Sequence, residues 1–226
     1  MPSFDALVAL CYRFYPRGMS DDTPAYRESE QHRRLVQARV AAGACEDERW
    51  RPMLRRLEER FPENIVSNRS VHLPTGGYDA CYFAVMTLPT AGSDYRARSL
   101  MFCVSFIAPL YVVLAQRWTG SDDWADDDEH DAADGRCSDG GGDTFVMTEE
   151  MASTAHDDEA GYEQSFILSE VEEPYARIVA AEIERAFSGY APLTPTLGEV
   201  VVPEVAAGNK QIGATKLNHC LFHDSL

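Results

Sequence analysis

Apolar residues recur along this chain in two rhythms, and the change between them divides it. Phe4 to Tyr15 is apolar and aromatic and runs into Arg13-Phe14-Tyr15-Pro16-Arg17-Gly18, the pattern of a first strand followed by a turn. Thr23-Pro24 has the form of a helix N-cap with proline at the first helical position. A helix is expected from there to about Ala42. Leu35, Val36 and Val40 face inward, Glu30 and Arg34 pair on the outside at i,i+4, and Gly43 acts as a stop. Arg49 to Arg60 forms a second helix, because Trp50, Leu54, Leu57 and Phe61 recur at spacings of 4, 3 and 4. Pro52 is tolerated only in its first turn, and Pro62 ends it.

From Ser70 the period shortens. Val71 to Leu73, Ala80 to Leu88, Leu100 to Ile107 and Leu110 to Gln116 read as strands, with turn chemistry at Thr75-Gly76-Gly77 and from Pro89 to Asp94. Several runs are apolar at consecutive positions, so these strands are covered on both faces. Their short connections favour antiparallel neighbours. Strand signal returns at Thr144 to Thr148 and at Gln164 to Leu168. Ser169 with Glu172 then makes a capping-box pattern for a third helix to about Ser188. Its apolar side is Tyr175, Ile178, Val179, Ile183 and Phe187, and Gly189 ends it. Beyond Tyr190, Pro192, Pro195 and Pro203 predict an extended tail wrapped over the body. The order of elements gives an α+β fold: a single domain over residues 1–226, mainly an antiparallel sheet packed by about three helices.

Charge changes the picture. The 226 residues carry 37 acids and 20 bases, a net charge of −17. Between Ser121 and Glu159 stand fifteen acids and one base, Arg136, so that stretch holds −14 of the total. Its core, residues 119–143, reads as an acidic Gly/Asp-rich loop inserted into a nearly neutral body. Such a balance disfavours binding to nucleic-acid phosphates and to anionic membranes. Ser99 to Gln116 is uncharged and long enough to span a bilayer, but Pro109 and Ser105 lie inside it and two buried strands fit it better. Met1-Pro2-Ser3-Phe4-Asp5 has no basic n-region of a signal peptide. The six cysteines are widely spaced, without a C-x-x-C pair, in a chain with enough core residues to fold without staples. The compartment read from these features is the cytoplasm.

No motif names a reaction. The chain lacks G-x-S-x-G, H-E-x-x-H, a Walker loop and G-x-G-x-x-G. Gly140-Gly141-Gly142 lies among aspartates, which would repel phosphate. An EF-hand loop started at Asp126 puts Asp128 at its third position, but His130 falls at the fifth and Asp131 replaces the required glycine. His219 and His223 have a zinc-like i,i+4 spacing, yet Asn218 to Phe222 reads as β-like and has no second ligand group. His72, Asp79 and Cys81 could meet across a hairpin as a hydrolytic site, although a thiol inside an apolar strand is usually inert. No catalytic residue, metal or cofactor is therefore assigned.

The residues that best fit a task are those at the start of the insertion: Asp122, Asp123, Trp124, Asp126, Asp127, Asp128, Glu129 and Asp131. An aromatic among carboxylates suits a protein interface, where rings anchor and charges steer. The closing run, Gly213-Ala214-Thr215-Lys216-Leu217-Asn218-His219-Cys220-Leu221-Phe222-His223-Asp224, and the acidic α+β character resemble the immunity proteins of bacterial polymorphic-toxin systems. That resemblance implies binding to one cognate toxin, of basic character if it attacks nucleic acid. It supplies no site residues. The other readings are an enzyme with a non-motif site, and an acidic decoy that mimics DNA.

Overall fold

Ser3 decides how the chain begins. Its hydroxyl accepts the Ala6 N–H at 3.3 Å and caps a helix, α1 (Phe4–Phe14), with Asp5 in the first turn and Arg13 in the last. This segment was expected as a strand. Its buried residues Leu7, Cys11 and Tyr15 stand four apart, a helical spacing that a short, nearly continuous apolar run conceals. The computed structural model describes residues 3–46, 48–70, 80–89, 98–118 and 162–222. The chain divides into a body, Met1–Arg117 with Gln164–Leu226, and a second unit, Trp118–Glu163.

Thr23 caps α2 (Pro24–Glu28) with proline at its start, as the sequence predicts. The helix does not run on. Ser29 is extended, its hydroxyl accepts the His32 N–H at 3.1 Å, and α3 (Glu30–Cys45) starts afresh and passes through Gly43. Leu35 and Arg39 form its buried stripe, whereas Val36 and Val40 are 40% and 56% exposed, against expectation. The Glu30–Arg34 pair is present on its surface. α4 (Trp50–Arg60) buries Trp50, Met53, Leu54 and Leu57 on one face.

The sheet comprises β1 (Val66–Asn68), β2 (Cys81–Thr87), β3 (Arg98–Ser105), β4 (Leu110–Trp118), β5 (Tyr162–Ser165) and β6 (Ala191–Pro192). Its order is β1-β2-β3-β4-β5, with β6 also paired to β4. β1 to β4 are successive antiparallel neighbours. β6 is parallel to β4 at Leu110 and Tyr111. α5 (Glu172–Ala186) follows β5, and the tail contains α6 (Pro195–Gly198) and α7 (Leu217–Leu221). The α+β class stands as expected, with seven helices among the described residues and not about three. The extra ones are α1, the division of one expected helix at Ser29 into α2 and α3, and the short α6 and α7.

The period of two along β3 separates two cores. Met101 and Cys103 point to one side and pack with Leu7 and Cys11 of α1, Leu35 of α3, and Leu217, Cys220 and Phe222 of the tail. Leu100, Phe102 and Val104 point to the other and pack with α4 and with Ala176, Val179 and Ile183 of α5. Seven of the eight β3 residues are buried, the signature of a strand covered on both faces. No helix among the described residues is long and apolar enough to cross a membrane.

Candidate functional site

The sequence-selected residues Asp122, Asp123, Trp124, Asp126, Asp127, Asp128, Glu129 and Asp131 lie outside the described residues, as do Val71 to Leu73, Thr144 to Thr148 and Gly140-Gly141-Gly142. Of the hydrolytic set, His72 and Asp79 also lie outside. Cys81 is on β2, 4% exposed, inside the core shared with α1 and the tail. His219 proves to be helical: α7 replaces the expected β-like segment. Its Nδ1 accepts the Lys216 N–H at 3.0 Å and so serves as a cap. His223 lies outside the described residues.

What the fold builds instead is a slot along the edge of β4. Val112 belongs to the core on one side of the sheet and Val113 packs against the core on the other, yet both line one cavity of about 480 Å³. A hollow touching consecutive residues with opposite side-chain directions must follow the strand's edge. One end of it is closed by β6, where Leu193 N–H donates to the Tyr111 carbonyl at 2.8 Å. Phe166 and Leu168, which follow β5, form a wall, and Ala176 and Ala180 of α5 line the slot from one turn apart. Gly198 holds the tail close: a Cβ there would stand 3.2 Å from the Phe166 ring and 3.4 Å from Leu193.

The electrostatics beside the slot are set at the start of α5. Glu172 is fully buried, and its Oε2 accepts the Ser169 N–H at 2.7 Å and the Arg117 guanidinium at 3.1 Å. Burial alone would raise this carboxyl. The Ser169 and Arg117 contacts outweigh it and hold the group below the usual carboxylate range. The expected capping box is thus half made. Glu172 reaches back to the Ser169 N–H. At the rim, Arg177 pairs with Glu173 at 2.5 Å, both exposed. Tyr111 donates its hydroxyl to Glu184 at 2.7 Å; burial first and that carboxylate second push the phenol up.

Sequence reasoning missed the slot because no residue in it is chemically unusual. One signal was present: alanines at 176 and 180 interrupt an α5 face otherwise made of large side chains. No family model, curated protein or solved structure matches this chain.

Proposed function

We propose that this chain is a binding protein that neutralises a basic protein partner by direct contact, in the manner of a cytoplasmic immunity protein and its toxin. The observation that carries the reading is the concentration of −14 of the −17 net charge in residues 121–159, the rest of the sequence being nearly neutral. A field of one sign speeds encounter with an oppositely charged protein by orders of magnitude, an advantage for an inhibitor that must reach its target first. The described cysteines Cys11, Cys45, Cys81, Cys103 and Cys220 are free thiols, which fits a reducing compartment. The resemblance of the closing run to immunity proteins points the same way.

Affinity purification of the tagged chain from its host at low and moderate salt tests the reading. A stoichiometric basic protein that survives moderate salt, and whose own activity falls on adding the chain, is the expected outcome. Recovery of the bait alone overturns it. Replacing Asp126, Asp127, Asp128 and Glu129 by Asn and Gln is expected to slow association and flatten its salt dependence, with dissociation little changed. Association rates unchanged at low salt would remove these four acids from the encounter.

A further inference from the structure

The helices α1 and α7 stand far apart in sequence and pack against each other in the core on one face of the sheet. Cys11 and Tyr15 are one turn apart on the buried side of α1, and the Tyr15 N–H donates to the Cys11 carbonyl at 2.9 Å. The Tyr15 hydroxyl reaches across and donates to the Cys220 carbonyl at 2.7 Å. That bond fixes the backbone of α7 over the turn of α1 that carries Cys11. The two side chains then meet: the thiols of Cys11 and Cys220 are hydrogen-bonded to each other, and neither is exposed.

The other buried thiols are placed differently. Cys81 stands opposite Ser105 and Cys103 opposite Phe83, so Cys81 and Cys103 are two positions out of register across β2 and β3. Residues offset in this way are about 7–8 Å apart, beyond the usual reach of a disulfide. Two thiols in contact need only rotate about their side chains to come within bonding distance.

While the chain is folded the pair is inert. Burial, and then Cys11 beside it, keep the Cys220 thiol protonated, and attack on another sulfur needs the thiolate. Exchange therefore begins when α7 lifts. α7 is one short helix, Leu217–Leu221, so lifting it is a local opening that leaves the sheet paired.

We propose that Cys11 and Cys220 are a redox latch: two thiols while the surroundings are reducing, and one disulfide fastening α7 to α1 when a low-molecular-weight disulfide accumulates. With α7 lifted, one of the two thiols loses its proton to water and its thiolate attacks the small disulfide. A mixed disulfide forms and the first small thiolate leaves. As α7 returns, the second cysteine gives up its proton and its sulfur attacks the protein sulfur of the mixed disulfide, expelling the second small thiolate. Two protons and two electrons pass from the protein to the oxidant, which becomes two thiols. The new bond encloses most of the chain in one ring and keeps the covered face of β2 and β3 closed. The latch is independent of the partner-binding reading.

The test adds oxidised glutathione to the folded full chain, alkylates the remaining thiols and identifies tryptic peptides without reduction. The Cys11–Cys220 peptide is expected to be the main internal disulfide. The same treatment in denaturing urea is expected to yield it about tenfold less, because only the fold brings the two thiols together. The oxidised chain should have a higher urea midpoint, worth about tenfold or more in the folding equilibrium, and lose the gain on adding dithiothreitol. Cys11→Ser and Cys220→Ser should each abolish both the peptide and the gain, whereas Cys45→Ser, at an exposed position, should change neither. Should the buried variants not fold, the wild-type comparison of folded and urea-treated chain decides alone. Absence of the peptide from the folded chain, equal yield in urea, another pairing in the majority, or an oxidised chain no more stable than the reduced one each overturn the inference.

Discussion

The two faces of the sheet are filled in different ways. On the face under α4 and α5, a few large rings carry the packing. Trp50 stacks on Tyr82 with centroids 5.2 Å apart and an interplanar angle of 14°, and Phe106 meets Tyr82 edge-on at 4.7 Å. Trp50 and Tyr82 also have polar tips in use. Trp50 Nε1 donates to Asn68 Oδ1 at 3.0 Å, Asn68 Nδ2 donates to Glu46 at 2.8 Å, and the Tyr82 hydroxyl donates to the Ala42 carbonyl at 2.6 Å. The face under α1, α3 and α7 also buries two rings, Tyr15 and Phe222, and adds smaller pieces: Leu7, Leu35, Leu217 and four thiols, Cys11, Cys81, Cys103 and Cys220. Burial, and then the neighbouring Cys11, push the Cys220 thiol well up, so it behaves as a small apolar group. Both faces bury rings, but only the second sets a cluster of thiols among them.

That contrast can be broken by mutation. Trp50→Ala should have the largest effect, about 4 kcal/mol by urea denaturation, because it removes a buried ring, a stack and a hydrogen bond together. Leu7→Ala on the opposite face should cost less, about 3 kcal/mol, through cavity formation alone. Equal losses would mean that both faces distribute their stability alike. Between the extremes of core and surface, Glu172→Gln should cost roughly 1–2 kcal/mol at neutral pH, discounted because Arg117 is partly exposed. Its sign with pH is fixed. The folded carboxyl titrates below its ordinary 4.5, so its contribution is fully present above that value and is lost as pH falls through the lower folded one. Stability measured from pH 7 to 3 should therefore fall less steeply in Glu172→Gln than in the wild type. The smallest effect expected is Ser3→Ala, about 1 kcal/mol, from loss of the α1 cap. A value near zero would show that α1 is held by packing and not by its terminus.

The same contrast explains what was legible in the sequence. α4 and α5 could be read because each has one clear apolar stripe, and the proline and glycine that end them stand where physics requires; Gly189, at φ +87°, is in the left-handed region. The strands β2, β3 and β4 could be read because their apolar runs are rich in β-branched and aromatic residues and bounded by turn residues. The opposite face resisted. α1 is apolar almost all round, α3 buries Arg39 and exposes Val40, and α7 is a single turn. For these the tertiary setting decides, and period alone is silent. The slot resisted for a related reason. It is defined by what Ala176 and Ala180 leave empty, and absence of bulk carries no local chemistry.

The packing of the tail on the sheet sets an order of assembly. Ala80 donates its N–H to the Phe222 carbonyl at 3.0 Å, and Tyr15 donates its hydroxyl to the Cys220 carbonyl at 2.7 Å across 205 positions of sequence. On the ribosome, α1 and α3 are at hand to cover the face of β2 and β3 that carries Cys81, Met101 and Cys103, but its closure waits for residues 217–222. Part of that apolar face is thus left uncovered while residues 106–216 are added, so yield depends on what shields it meanwhile.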